Sequence, residues 1–174
     1  MENIYHKYEK YKRKYLELYK KKVLAICILK SEKISGEIFF DELDNNKVKI
    51  YGKISGFKTN SKHAIHIHEY GDIRENCTNC CDHYNPFNQE HGDRLANIRH
   101  VGDLGNLQTN NEGVAEFSFE DNLVKLKGPY SVIGRSIIIH EDEDDLGKGG
   151  HPDSKKTGHA GKRIVCGVIG LRKE

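Results

Sequence analysis

The stretch HAIHIHEYGD, residues 63–72, places three histidines within six positions. Neutral imidazole is the commonest protein ligand for zinc and copper, so this density points first to metal. Along an extended strand successive side chains alternate faces, which sends His66 and His68 to one side and His63 to the other. A His-x-His pair of that kind presents two ligand nitrogens without any bend in the backbone. Taken alone, the stretch also reads as a surface histidine cluster. The residues that follow weigh against that. His83, His91, His100 and Asp103 form the pattern H-x7-H-x8-H-x2-D, three imidazoles and a carboxylate, which is a full donor set for tetrahedral zinc. His140 ends the apolar run SIIIH; with His66 and His68 it falls at strand positions, where a rigid sheet can hold ligands for copper.

These side chains need a scaffold, and the chain from Val23 onward has the pattern of one. VLAICIL, GEIFF, NKVKIYGKI, HAIHIHE, GVAEFSFE, SVIGRSIIIHE and IVCGVIGL are short apolar or alternating runs, with LDNN, NNEG and GPY as turn sequences between them. Short strands at this spacing predict an all-β sandwich or barrel. Two long polar stretches interrupt it, at roughly 70–100 and 141–163, the second containing EDEDDLGKGGHPDSKKTGHAGK. Long structureless segments in a compact domain are usually functional or disordered. Here they hold the remaining histidines and the densest charge, which favours function. No internal repeat is present.

At 174 residues the chain is long enough for one domain with a real core. With 36 % hydrophobic and 31 % charged residues and no Trp, that core has to be economical. The longest apolar run, residues 23–29, is far short of the roughly 20 residues that cross a bilayer. It follows basic sequence as a secretory leader would, but Glu2, Glu9 and Glu17 precede it, Lys30 ends it and no small-residue cleavage pattern comes after, so it reads as a buried strand. The net charge of +2 hides a division. Residues 1–22 hold eight Lys/Arg and three Glu, hence +5, which leaves −3 for residues 23–174. The tyrosines at 5, 8, 11, 15 and 19 recur in steps of three and four, the spacing of one helix face. This predicts a short helix or a frayed, solvated arm. Five cysteines are too few for a disulfide framework, and an odd number leaves at least one free thiol within the chain.

HIHEYGD, HYNPF, RHVGDLGN, IGRSIIIHEDEDDLGKGG and TGHAGKRIVCGVIG resemble the copper/zinc superoxide dismutases in order and spacing, from about Val23 to the C-terminus. The resemblance implies a domain at 23–174 behind an added extension at 1–22. Its fold would be an eight-stranded Greek-key β-barrel, an immunoglobulin-like sandwich with two long functional loops. It implies disproportionation of two superoxide anions to dioxygen and hydrogen peroxide, with one copper and one zinc ion per subunit. Copper would alternate between two oxidation states, while redox-silent zinc would order a loop and tune the site.

By that resemblance copper is held by His66, His68, His83 and His140, and zinc by His83, His91, His100 and Asp103, with His83 bridging. Asp144 would accept hydrogen bonds from the outer nitrogens of His66 and His91. His63, on the opposite strand face, would be a packed structural residue. Arg163 matches the family's channel arginine, with Lys156 steering substrate and Thr157 limiting the channel's width. Cys77 and Cys166 correspond to an intrasubunit disulfide, worth roughly 4 kcal/mol in the chain-entropy account. Cys27 would be a buried apolar residue. Gly71, Ile133, Gly134 and Leu171 fall where the family has its homodimer contacts.

Two departures stand out. Cys80 and Cys81 occupy loop positions that are usually small, where their thiols are rival partners for Cys166 or for copper. Pro152 replaces a channel acid, leaving Asp153 nearby. A metal carrier or copper-delivery module on the same fold is the alternative reading. Such modules often lack a copper ligand or the arginine, and this chain has both. The expected partners are superoxide, a second copy of the chain and a copper-loading protein. Neither nucleic acid nor membrane is expected. The expected compartment is the cytoplasm, that of a host if the source is viral.

Overall fold

The computed structural model describes residues 4–173, with backbone alone for 15–20. Helix α1 (Ile4–Lys20) is followed by eight strands: β1 (Leu24–Lys30), β2 (Ser35–Glu42), β3 (Val48–Ser55), β4 (Lys62–His68), β5 (Asp103–Gln108), β6 (Val114–Asp121), β7 (Ser136–His140) and β8 (Arg163–Leu171). A single helical turn, α2 (Ser154–Thr157), lies before β8. The strands form one antiparallel sheet in the order β5-β4-β7-β8-β1-β2-β3-β6. An isolated bridge between Thr109 and Ala115 brings β5 and β6 together, so the sheet curls into a nearly closed barrel. This is the all-β, eight-stranded architecture expected from the sequence.

Alternation builds the interior. Ile38 and Phe40 of β2, Ile50 and Ile54 of β3, Ile65 and Ile67 of β4, and Ile137 and Ile139 of β7 are fully buried in one core. β-branched and aromatic side chains suit a pleated, half-buried surface, and burial of each one contributes about 1.5–3 kcal/mol. The residues between them in β4 and β7 face the other way, which is where His66, His68 and His140 are found.

Two elements differ from their reading in the sequence. Of SVIGRSIIIHE only Ser136–His140 is strand; Gly134, at φ +83°, turns the chain just before it. β5 has no counterpart among the runs read above. Its sequence DLGNLQ holds aspartate, glycine and asparagine, which propensity disfavours in strands, and pairing with β4 holds it in the sheet.

The chain between β4 and β5 (69–102) and that between β7 and β8 (141–162) are long and irregular. A disulfide between Cys77 and Cys166 ties the first of them to β8 across a separation of 89 residues. The α1 tyrosines Tyr5, Tyr8 and Tyr11 are exposed; the side chains of Tyr15 and Tyr19 lie outside the described residues. Among the described residues no helix is long and apolar enough to cross a membrane.

Candidate metal centre

β4 and β7 are antiparallel neighbours, with Ile65 opposite Ile139 and His68 opposite Ser136. The alternation that sends their isoleucines inward sends His66, His68 and His140 to one outer face. His83 reaches them from the first long loop through an isolated bridge to His68. One ligand atom from each of these four buried histidines lies within 4.8 Å of the others. The opposite nitrogen of each ring is pinned. His68 Nδ1 donates to the Cys81 carbonyl at 2.8 Å, and His140 Nδ1 to that of Gly161 at 3.2 Å. His66 Nε2 lies 2.8 Å from Asp144 Oδ2, and His83 Nδ1 lies 3.0 Å from Asp103 Oδ1. For His66, His68 and His140, fixing the proton on the outer nitrogen leaves the inner lone pair aimed at a common centre.

The second donor set surrounds Asp103. Its Oδ1 lies 3.0 Å from His83 Nδ1, 2.9 Å from His91 Nδ1 and 3.2 Å from His100 Nδ1. Its Oδ2 accepts from the backbone N–H of Gly92 at 3.1 Å and of His100 at 2.8 Å, which locks the carboxylate. The outer nitrogens are again engaged: His100 Nε2 with the Gln89 carbonyl at 3.0 Å, and His91 Nε2 with Asp144 Oδ1 at 2.8 Å. Asp144 thus bonds His66 through one oxygen and His91 through the other, and it is buried. Gly158, at φ +70°, makes room for this clamp, because a Cβ there would fall onto Asp144 Oδ1 and His91 Nε2.

Electrostatics separate the two sets. Burial first, then the neighbouring imidazoles, pull His66 and His68 well below the ordinary histidine value, and burial brings His140 down to about 4. Burial also lowers His83, against the pull of Asp103. His91 goes the other way: burial opposes its charge, but Asp103 and Asp144 outweigh burial and raise it to about 9. Burial works against the charge on Asp103 too, and the surrounding histidines overcome this, holding its carboxyl far below the usual range.

Whether metals fit is decided by nitrogens that the fold leaves over. His66 Nδ1, His83 Nε2 and His91 Nδ1 are buried and make no hydrogen bond, His91 Nδ1 even though Asp103 Oδ1 is close. An unsatisfied buried polar atom costs about 1–3 kcal/mol, and three of them converging in a folded core point to ligands for a cation. Four imidazoles suit copper, and three imidazoles with a carboxylate suit zinc. His66 also falls within 4.8 Å of His83, His91 and Asp103, but Asp144 occupies its outer nitrogen and its orphaned one belongs to the strand-borne group.

Residues 34–169 match the family "copper/zinc superoxide dismutase (SODC)". The chain belongs to that family. A "Superoxide dismutase [Cu-Zn]" of Paramecium bursaria Chlorella virus 1 is 50 % identical over 154 residues, covering 88 % of this chain and 81 % of that protein. One from Cryptococcus neoformans var. grubii is 47 % identical over 151 residues, 86 % of this chain and 98 % of its own. Among solved structures, that of the "clock protein EA4" superposes with a TM-score of 0.84 at 40 % identity, over 86 % of this chain and 95 % of that one. The activity is that of a superoxide dismutase, an oxidoreductase with copper and zinc as cofactors.

The other residues singled out in the sequence now have places. Arg163 and Thr157 line a cavity of about 310 Å³ together with His68, His83, His140, Asp153 and His159. The Arg163 guanidinium donates to the carbonyls of Cys77 at 2.6 Å, Thr78 at 3.1 Å and Cys81 at 2.5 Å. Lys156 lies elsewhere, lining a separate cavity of about 420 Å³ with His83, His100 and Lys155. His63 is buried, bonded to the His140 carbonyl at 3.0 Å and stacked on Phe57. Cys27 is a buried free thiol, and burial raises it to about 12.

Two positioning residues escaped the sequence reading. Arg99 is 2 % exposed; its guanidinium donates to the carbonyls of His100 at 3.0 Å and Asp103 at 3.2 Å and pairs with Asp121 at 2.6 Å. Asn106 holds the backbone of Asp144 from both sides, at 2.7 and 2.9 Å. Neither type is a metal ligand, so only proximity in sequence to RHVGD could have flagged them.

Proposed function

We propose that superoxide reacts in the cavity shared by Arg163 and the strand-borne histidines, with copper held by His66, His68, His83 and His140 and zinc by His83, His91, His100 and Asp103. The observation that carries this reading is the placement of a fixed guanidinium and three of the four copper-side imidazoles on one small cavity. When bound, copper supplies reversible one-electron exchange with superoxide. Arg163 supplies the charge: three carbonyls hold its fork, which has donors beyond the three bonds they use, so it can orient a small anion. His83 Nε2, which faces this site without a hydrogen-bond partner, is the atom suited to hold and hand over a proton for peroxide formation.

Thr157 narrows the same cavity, whereas Lys156 acts from outside it as a field charge. Asp144 joins the two halves by fixing His66 and His91 at once. The same reading has the chain at work in the cytoplasm as a homodimer, loaded by a copper-donating partner. Gly71 packs against Gly134 and Val168, while Val168 and Leu171 on β8 and Ile28 on β1 are exposed apolar residues beside them, which supports a two-fold face there.

The test is superoxide decay by stopped flow on protein whose copper and zinc are quantified in the same sample. Decay proportional to copper that slows with ionic strength is the expected result. Stoichiometric metal without catalytic decay would make the chain a carrier instead.

A further inference from the structure

The first long loop carries Cys77-Thr-Asn-Cys80-Cys81, and the fold separates the two extra thiols sharply. Cys81 is exposed, at φ +64° and ψ −144°. Cys80 is fully buried and packs in one small apolar group with Cys77, Cys166 and Ile138, so a free thiol lies beside the disulfide. A short 3-10 turn, Thr78–Cys80, puts it there: the Cys80 N–H bonds back to the Cys77 carbonyl at 3.2 Å. The Cys80 thiol donates to the Asp72 carbonyl at 3.3 Å. Cysteines separated by two residues in a tight turn are a redox-active arrangement in their own right.

We propose that Cys77, Cys80 and Cys166 form a three-sulfur exchange site in which the disulfide moves from Cys77–Cys166 to Cys77–Cys80. The Cys80 thiol gives up its proton and the thiolate attacks Cys77 Sγ. The Cys77–Cys166 bond breaks, the Cys77–Cys80 bond forms, and the Cys166 thiolate that leaves takes up a proton. One disulfide and one thiol stand on each side, so no external oxidant or reductant is consumed. Cys77 is the sulfur attacked because it shares the turn with Cys80, whereas Cys166 belongs to β8.

The exchange has a consequence at the metal centre, which rests on the role proposed for Arg163. The disulfide ties the loop to β8 three residues past Arg163, and the carbonyls of Cys77, Thr78 and Cys81 grip the Arg163 guanidinium. Moving the bond into the turn releases β8 from the loop while closing the turn more tightly on itself. Both changes loosen the arginine, so turnover falls in the exchanged form.

The test uses the full-length, metal-loaded protein held in glutathione buffers of graded oxidation, quenched in acid, alkylated and mapped by mass spectrometry without reduction. The exchange predicts a species in which Cys166 is alkylated while Cys77 and Cys80, on one peptide, are both protected by their shared bond. Cys80→Ser and Cys80→Ala should lack that species and keep only the Cys77–Cys166 bond or its fully reduced form. Wild-type superoxide decay should fall in proportion to the exchanged fraction, and the Cys80 variants should hold their activity in the same buffers for as long as their Cys77–Cys166 bond stays intact. Cys77 and Cys166 becoming alkylated only together, or a Cys80–Cys166 crosslink, would overturn the exchange as written. Exchange on the map with no change in turnover would leave the sulfur site standing and refute instead the role given to Arg163.

Discussion

The two halves of the candidate metal centre are both built from imidazoles and share His83, but differ in what holds them and what faces them. His66, His68 and His140 stand on β4 and β7, where strand pairing fixes their backbones. His91 and His100 stand on irregular chain, fixed by Asp103, Asp144, Gln89 and the buried Arg99. In the strand half, imidazoles face imidazoles in a dry setting, which keeps them neutral. In the loop half, carboxylates face them and favour charge, as the rise of His91 to about 9 shows. A sheet can hold ligands with less counter-charge, here Asp144 on His66, because its own hydrogen bonds fix the geometry. A loop has no ladder, so its order comes from the charged and hydrogen-bonded groups the metal would join.

Substitutions should break this contrast most visibly. His68→Ala is expected to abolish copper-dependent turnover while leaving zinc content and thermal midpoint nearly intact, whereas Asp103→Ala should lose zinc and lower the midpoint together. Metal analysis alongside calorimetry separates the two, and equal destabilisation by both would erase the distinction. Asp144→Asn touches both halves through one residue and should weaken metal retention by about 10–100-fold, measured by competition with a chelator. Arg163→Ala should lower the rate of superoxide decay about tenfold or more with copper still bound. Loss of copper in that variant would move Arg163 from substrate capture to metal support.

In chelator-treated protein the halves should respond to pH in opposite directions. A histidine whose folded value lies below the ordinary 6.5 leaves the unfolded chain holding more protons between the two values, so stability falls with acid. His140, at about 4, therefore supports the fold fully above pH 6.5 and withdraws that support as pH drops toward 4, as do His66 and His68. For His140 the effect is about 3 kcal/mol. His91 contributes fully below pH 6.5 and loses its contribution as pH rises through about 9. Thermal melts of the metal-free protein from pH 4 to 10 should rise and then fall, and a monotonic curve would contradict the contrast. The smallest effect is expected from deleting residues 1–22, which lie outside the region matched to the family; turnover per copper should be unchanged.

Much of this was legible without coordinates because it depends on local periodicity. The alternation in HAIHIH and SIIIH marks which histidines share a face, and H-x7-H-x8-H-x2-D marks a donor set suited to zinc by residue type alone. β5 was not legible, since DLGNLQ is a strand by virtue of its neighbour and not its own residues. Arg99 and Asn106 were missed for the same reason: their carbonyl and backbone partners are defined only once the chain is folded.

The sequence by itself determined the donor chemistry, the strand faces and the family pattern, all of which follow from residue types at fixed short spacing. Tertiary structure alone decided which lone pairs meet, because His66, His83 and His140 converge only when a barrel closes the long intervening loops. It also decided that Lys156 stands outside the copper-side cavity, that three loop carbonyls grip Arg163, and that Cys80 rather than Cys81 lies against the disulfide. Such non-local contacts depend on packing across the whole barrel, which no window of sequence contains.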